Sequence, residues 1–162
     1  MRRDVVSVAL DTGSIVAFHP SVVHERDVAI RDLLHENVFS PLSGATGPWH
    51  LDLSIQDNRI VFEAKQINQD LSEIFRLSPR TLTPIIRSYF DICRSYTQAL
   101  SSRQPHQIEA IDMGRRGLHN EGAQALQKSL SRAFTTDHDT ARRLFTLVCV
   151  LHIRAEGLLY TL

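Results

Sequence analysis

Apolar residues recur at every second position between residues 49 and 64, which predicts two β-strands with one apolar face: Trp49, Leu51, Leu53, Ile55, Ile60, Phe62 and Ala64. Asp57 and Asn58 lie between the two runs, and both residue types tolerate positive φ, so a two-residue turn is expected. That turn sets Ile55 opposite Ile60. Residues 71–77 have weaker strand character, and the pattern predicts a three-stranded meander.

The first 48 residues predict one strand and one helix. Residues 5–10 have strand composition and end at an Asp-Thr-Gly turn over residues 11–13. Ser21 is a suitable N-cap for a helix from Val22 to about Asn37, because apolar residues recur there at helical spacing. Residues 40–48 are rich in Ser, Gly and Pro, which predicts a loop.

The second half of the chain has helical periodicity throughout. A helix begins at Ser78-Pro79 or at Thr83-Pro84, since both pairs place proline after a capping residue. Pro105 opens the next helix, which is expected to run to about Phe134. Thr136 is predicted to cap a last helix that ends at Gly157, and residues 158–162 form a tail without a predicted element. The last helix has the widest apolar stripe and should be central.

This order of elements predicts an α+β fold in one domain over residues 1–162. A small antiparallel meander of three or four strands should pack against a C-terminal bundle of three or four helices, with one further N-terminal helix. Residues 1–77 would form the half with the strands, the N-terminal helix and the meander, and residues 78–157 the helical half.

Composition narrows the classes of partner. The formal net charge is zero, so no overall positive field draws in nucleic acid or an anionic membrane. The longest apolar run, residues 144–151, is far too short to cross a bilayer, and residues 5–10 are too short for a signal peptide. Cys93 and Cys149 lie in apolar helical patterns typical of buried reduced thiols. These features predict a cytoplasmic protein that binds neither nucleic acid nor membrane.

Metal and cofactor motifs are not found in the sequence. None of the eight histidines stands at a ligand spacing, and no glycine-rich phosphate-binding motif occurs, so neither a metal nor a cofactor is predicted. On the outer face of the hairpin, the register sets Asp52 against Glu63 and His50 against Lys65. The two carboxylates could share a proton or hold a metal. Alternatively, His50 and Lys65 simply neutralise a charged, solvent-facing surface.

Residues 107–126 combine three glycines, two adjacent arginines and a histidine in a helical pattern. Three glycines inside a helix cost about 3 kcal/mol relative to alanine, so a close backbone contact or a ligand should offset that cost. If the helix is continuous, Ala110, Gly114 and Gly117 form a small-residue seam that a second helix can approach closely.

If the helix instead breaks between residues 114 and 117, a second helix begins there. Its free backbone N–H groups would favour the binding of an anion. The ligand-binding residues would then be Arg115, Arg116, His119 and Asn120. His119 and Glu121 are the candidate catalytic acid and base. A solvated His119, with both arginines paired to acids of their own helix, is the structural alternative.

Three segments resemble a known bacterial group, uncharacterised protein family 0262: residues 107–124, residues 24–30 with Glu36-Asn37, and residues 139–151. The likeness covers about residues 22–151, and it is weaker in the first strand, in the loop at 40–48 and beyond His152. The resemblance implies a small soluble cytoplasmic protein of bacteria, and it implies no activity, cofactor or site residue.

Two functions follow as hypotheses. The first is a non-enzymatic interaction or regulatory module that self-associates through its helices into a homo-oligomer, since specific catalytic motifs are lacking and a small-residue seam is predicted. The second is an enzyme or sensor that binds a phosphate-bearing small molecule at residues 114–121. Convergence of Arg115, Arg116 and His119 on one concave pocket would favour the second.

Overall fold

A computed structural model describes residues 1–12, 20–102 and 104–155 and shows an α+β fold, as predicted. The elements in chain order are β1 (Val5–Leu10), α1 (Pro20–His35), β2 (Phe39–Pro41), β3 (Trp49–Gln56), β4 (Arg59–Gln66), β5 (Ser72–Leu77), α2 (Leu82–Ser102), α3 (Pro105–Leu130), β6 (Phe134–Thr136) and α4 (His138–Ala155). The predicted end of the last helix at Gly157 and the tail at 158–162 lie outside the described residues.

The main sheet has four strands in the order β1-β3-β4-β5. Its hairpin confirms the predicted register, with Ile55 opposite Ile60, and the turn residues Asp57 and Asn58 have φ values of 50° and 59°. Strand β5 completes the predicted meander. The sheet is mixed rather than purely antiparallel, because β1 pairs in parallel with β3.

A second sheet, formed by β2 and β6, was not predicted. The loop predicted at residues 40–48 therefore begins with a strand, and the third helix ends at Leu130 rather than near Phe134. The reason is tertiary: the rings of Phe39 and Phe134 stack with centroids 4.4 Å apart in the core. Thr136 belongs to β6 and does not cap α4.

Asp137 caps α4 instead, because its carboxylate accepts a hydrogen bond from the Thr140 backbone N–H at 2.9 Å. Helix α4 packs against α1 on one side and α3 on the other, and α2 packs on α3. Its apolar residues are almost completely buried, which confirms that this helix is central. Within the described ranges, no helix is both long and apolar enough to cross a bilayer.

Helix α3 is continuous from Pro105 to Leu130, so the predicted alternative of a break between residues 114 and 117 is wrong. Two of its glycines allow close contacts within the chain. A Cβ at Gly114 would lie 2.6 Å from Ile92 of α2, and a Cβ at Gly122 would lie 2.2 Å from the ring of Phe145 in α4. Nothing approaches Gly117 within 4 Å. Gly114 and Gly122 thus allow α2 and α4, respectively, to pack closely against α3.

Asn37, two residues after the end of α1, joins that helix to the edge strand β1. Its side-chain oxygen accepts a hydrogen bond from the Val5 N–H at 2.8 Å. Its amide nitrogen donates to the carbonyl oxygens of Val5 and Leu33, both at 2.9 Å. Asn37 is only 1% exposed. One buried amide therefore satisfies three backbone groups of two different elements.

Candidate functional site

A cavity of about 470 Å³ lies over α4, with α1 and α3 as its walls. Helices α1, α3 and α4 each contribute residues three or four positions apart, which lie on one helical face. The cavity is lined by His24, Glu25, Val28, Ala29 and Asp32 of α1, by Tyr89 of α2, by Arg115, Arg116 and His119 of α3, and by Arg142, Arg143 and Thr146 of α4. Four arginines from two helices therefore surround one concave space.

Two of the four arginines share a single acid. Arg115 donates two hydrogen bonds to Asp112, at 3.2 and 2.6 Å, and Arg116 lies 2.9 Å from the other oxygen of the same carboxylate. The hydrogen bond from Arg115 holds the pKa of Asp112 below its usual range. The Arg115 guanidinium also lies over the ring of Tyr96, 4.8 Å from its centroid. These contacts fix the orientation of Arg115 at the cavity wall.

Arg142 differs from the other three arginines. Arg143 lies 3.7 Å from Asp139, whereas Arg142 has no ion pair to any described residue. Its Nε is buried and has no hydrogen-bond partner among the described residues. Because a buried donor without a partner costs about 1–3 kcal/mol, Arg142 is the lining cation that the described residues leave most in need of an acceptor.

His119 lies between the cavity and the aromatic core. Its Nε2 and the Thr146 hydroxyl are 2.9 Å apart, and its ring lies 5.3 Å from Phe145 and 5.5 Å from Tyr89. Its Nδ1 is buried without a hydrogen-bond partner among the described residues. Burial, together with the nearby charges of Arg142 and Arg115, lowers the pKa of His119 to about 4. The imidazole is therefore neutral at pH 7.

We expect His119 to make the protein less stable as the pH falls from about 6.5 to about 4. Its pKa is near 4 in the folded protein and about 6.5 in an unfolded chain. Between these values, only the unfolded chain takes up the proton. The stabilisation is complete above pH 6.5, and lowering the pH from 7 to 5 should remove about 2 kcal/mol of it.

Urea unfolding of the wild type and His119→Gln at pH 7 and pH 5 measures this contribution. The free energy of unfolding of the wild type minus that of the variant should be lower at pH 5 than at pH 7, because only the wild type carries the lowered pKa. An equal difference at both pH values would contradict the expectation.

Glu25 is the acidic counterpart of Arg142 on the α1 wall. It is half-buried, and its carboxylate makes no hydrogen bond and no ion pair within 4 Å to the described residues. Burial raises the pKa of Glu25, and the charge of Arg115 opposes that rise only partly. An ionised carboxylate at this position would thus be stabilised by a donor from a ligand.

The structure brings together three of the four predicted ligand-binding residues, Arg115, Arg116 and His119, on the cavity wall. Asn120 and Glu121 are exposed and do not line it, because consecutive helical residues point about 100° apart. The predicted pairing of His119 with Glu121 as acid and base is therefore not formed in this geometry.

The remaining lining residues were not predicted from the sequence as parts of a site. The pairs His24-Glu25 and Arg142-Arg143 stand at helical spacing from Val28, Ala29 and Thr146. This spacing was the available signal, but it does not indicate which distant helix the two pairs face.

The outer face of the main sheet holds a chain of polar contacts. Ser7 Oγ lies 2.6 Å from His50 Nδ1, and His50 Nε2 lies 2.9 Å from Asp52. Lys65 Nζ lies 2.9 Å from Asp52 and 3.8 Å from Glu63. Partial burial opposes ionisation of Asp52, but the hydrogen bonds from Lys65 and His50 outweigh it and lower its pKa. This geometry supports the alternative in which His50 and Lys65 neutralise the facing carboxylates.

Neither cysteine is positioned for chemistry, because Cys93 and Cys149 are both buried, as predicted. Burial raises the pKa of Cys149 well above its ordinary value, which disfavours the thiolate. In the described segments, no three His, Cys, Asp or Glu side chains are grouped so that they could hold a metal ion.

Comparisons with known proteins give one consistent family. The model of an uncharacterised protein family, UPF0262, matches residues 2–154. A UPF0262 protein of Brucella canis is 52% identical over 151 residues, which cover 93% of this chain and 94% of that protein. A UPF0262 protein of Rhodospirillum rubrum is 48% identical over 150 residues, covering 93% and 92%. No solved structure matches the chain significantly.

Proposed function

The chain belongs to the uncharacterised bacterial protein family UPF0262, and we propose that it binds a phosphate-bearing small molecule in the cavity between α1, α3 and α4. The observation that carries the proposal is Arg142, a cation without an ion pair among the described residues, in a cavity with three other arginines. Guanidinium groups bind phosphate through paired, charge-assisted hydrogen bonds.

The unpaired cation of the lining favours an anion. Arg115 and Arg116 pair with Asp112, and Arg143 lies 3.7 Å from Asp139, so Arg142 is the lining arginine that has no carboxylate partner among the described residues. A volume of about 470 Å³ lies within the usual range for small-molecule sites. Anion binding here depends on side chains and not on a helix N-terminus, because α3 is continuous. Such a site serves an enzyme or a sensor.

Titration calorimetry with inorganic phosphate at low salt tests the proposal. Phosphate should bind saturably, and Arg142→Gln should weaken binding by about tenfold or more, because a charge-assisted hydrogen bond contributes about 1.5–3 kcal/mol. Arg132→Gln is the matched control, since Arg132 is exposed and lies outside the cavity. Absence of saturable binding to the folded wild type, or equal losses in both variants, would refute the proposal.

Self-association through helices stays a prediction. Gly114, the centre of the proposed seam, faces Ile92 of its own chain, whereas Ala110 and Gly117 are exposed and open to a partner. The mass of the wild-type chain in light scattering tests this second function: a dimer mass would support it, and a monomer at high concentration would count against it.

A further inference from the structure

The cavity has two chemically different sides. The α1 wall presents Glu25 and Asp32, two turns apart, with Val28 and Ala29 between them. The α3 wall and the α4 floor present the four arginines. A ligand that fills this space meets acceptors on one side, donors on the other, and a small apolar strip between the two acceptors.

Each side holds polar groups that the described residues leave unsatisfied. On the basic side they are Arg142 Nε, a buried donor, and His119 Nδ1. On the acidic side it is the Glu25 carboxylate, an acceptor that is half-buried and has no hydrogen bond within the described chain. The buried Arg142 Nε costs free energy while it is unpaired, and a single molecule with an anionic end and a donor end would bind both Arg142 and Glu25.

Electrostatics selects the kind of donor. A carboxylate accepts hydrogen bonds both from hydroxyl groups and from an ammonium group. The unpaired positive charge of Arg142 in the same cavity opposes an ammonium group but leaves neutral hydroxyl groups unaffected. Carboxylates also bind ribose hydroxyls in nucleotide-binding folds. Hydroxyl groups are therefore favoured on the Glu25 side.

We infer that the ligand is a phosphate monoester of a polyhydroxylated group, a sugar or a ribonucleoside, whose phosphate is bound by the arginines and whose hydroxyl groups donate to Glu25. The inference rests on the proposed function, because it assumes that the arginines bind the phosphate. The C–H face of the sugar would pack on Val28 and Ala29. Glu25 thereby becomes the residue that distinguishes a sugar phosphate from inorganic phosphate.

Titration calorimetry with three probes tests this inference: inorganic phosphate, ribose 5-phosphate and ethanolamine phosphate. The wild type should bind ribose 5-phosphate at least tenfold more tightly than inorganic phosphate. Glu25→Met, which removes the acceptor and keeps the length of the side chain, should abolish that preference. The same variant should bind inorganic phosphate as tightly as the wild type or more tightly, because a negative charge has been removed from the cavity wall.

Two further variants separate recognition from structure. Glu25→Gln keeps one neutral acceptor and should give an intermediate preference. Asp27→Asn on the exposed side of α1 should behave as the wild type. A simple structural role of Glu25 would weaken all probes together and would not produce opposite changes for phosphate and ribose 5-phosphate.

The possible failures are distinguishable. If the folded wild type binds no phosphate, the proposed function itself is wrong. If it binds phosphate but prefers ribose 5-phosphate by less than tenfold, or if Glu25→Met weakens both probes equally, only the assignment of Glu25 is overturned. Tighter binding of ethanolamine phosphate than of ribose 5-phosphate would assign an amine, and would overturn the choice of hydroxyl groups.

Discussion

Replacing Gly122 with valine should destabilise the protein by about 3 kcal/mol or more. A Cβ at this position would lie 2.2 Å from the Phe145 ring, which is completely buried. That ring has edge contacts with Tyr89 and His119, so shifting it would displace these two side chains as well. Urea unfolding followed by far-ultraviolet circular dichroism measures the loss.

Gly117→Ala is the matched control on the same helix. Nothing lies within 4 Å of a Cβ at Gly117, so the substitution should stabilise the protein by about 1 kcal/mol through helix propensity alone. If Gly122→Val were as stable as the wild type, the close packing of α3 on α4 described above would be wrong.

Replacing Asn37 with alanine should have an effect of similar size, about 4 kcal/mol. The substitution removes three hydrogen bonds and leaves the Val5 N–H, the Val5 carbonyl and the Leu33 carbonyl without their side-chain partner. Each buried backbone group left unpaired costs about 1–3 kcal/mol. Chemical unfolding of the variant measures this cost.

Glu36→Ala is the control for Asn37→Ala, because Glu36 is the exposed neighbour in the chain and should change stability by less than about 0.5 kcal/mol. Asn37→Asp keeps the acceptor for the Val5 N–H but sets a second oxygen against two carbonyls, so it should also be destabilising. Equal stabilities of Asn37→Ala and Glu36→Ala would show that water replaces the side chain.

The β3–β4 hairpin was predictable from the sequence because its determinants are local. Alternation of apolar residues identifies the strands, and Asp57-Asn58 supplies the two positive φ values that fix the register. Pro105 similarly marks the first residue of α3. In each case the deciding interaction joins residues that are close in sequence, so the pattern of a short sequence segment is enough to predict it.

The β2–β6 sheet and the parallel pairing of β1 were not predictable in this way. Phe39 and Phe134 are far apart in the sequence, and each stands in a segment too short to show a period. The turn-rich composition after Phe39 favoured a loop, and the helical period near Leu130 favoured a longer helix. Long-range packing outweighed both local preferences.

The candidate site was predictable only on one wall. Arg115, Arg116 and His119 stand together in a segment whose glycines already indicated a special environment. Glu25 and Arg142 come from helices near opposite ends of the chain, and no spacing rule connects them. Their significance depends on α4 packing between α1 and α3, which is a property of the folded protein.

The cavity is lined by helices from the N-terminal and the C-terminal parts of the chain, so a bound ligand would contact both parts at once. Occupancy and folding are then coupled by mass action: a ligand present at one hundred times its dissociation constant adds about 2.7 kcal/mol to the free energy of unfolding. In a bacterium whose ligand concentration varies, the lifetime of the protein would vary with it, because unbound molecules open more often and are degraded sooner.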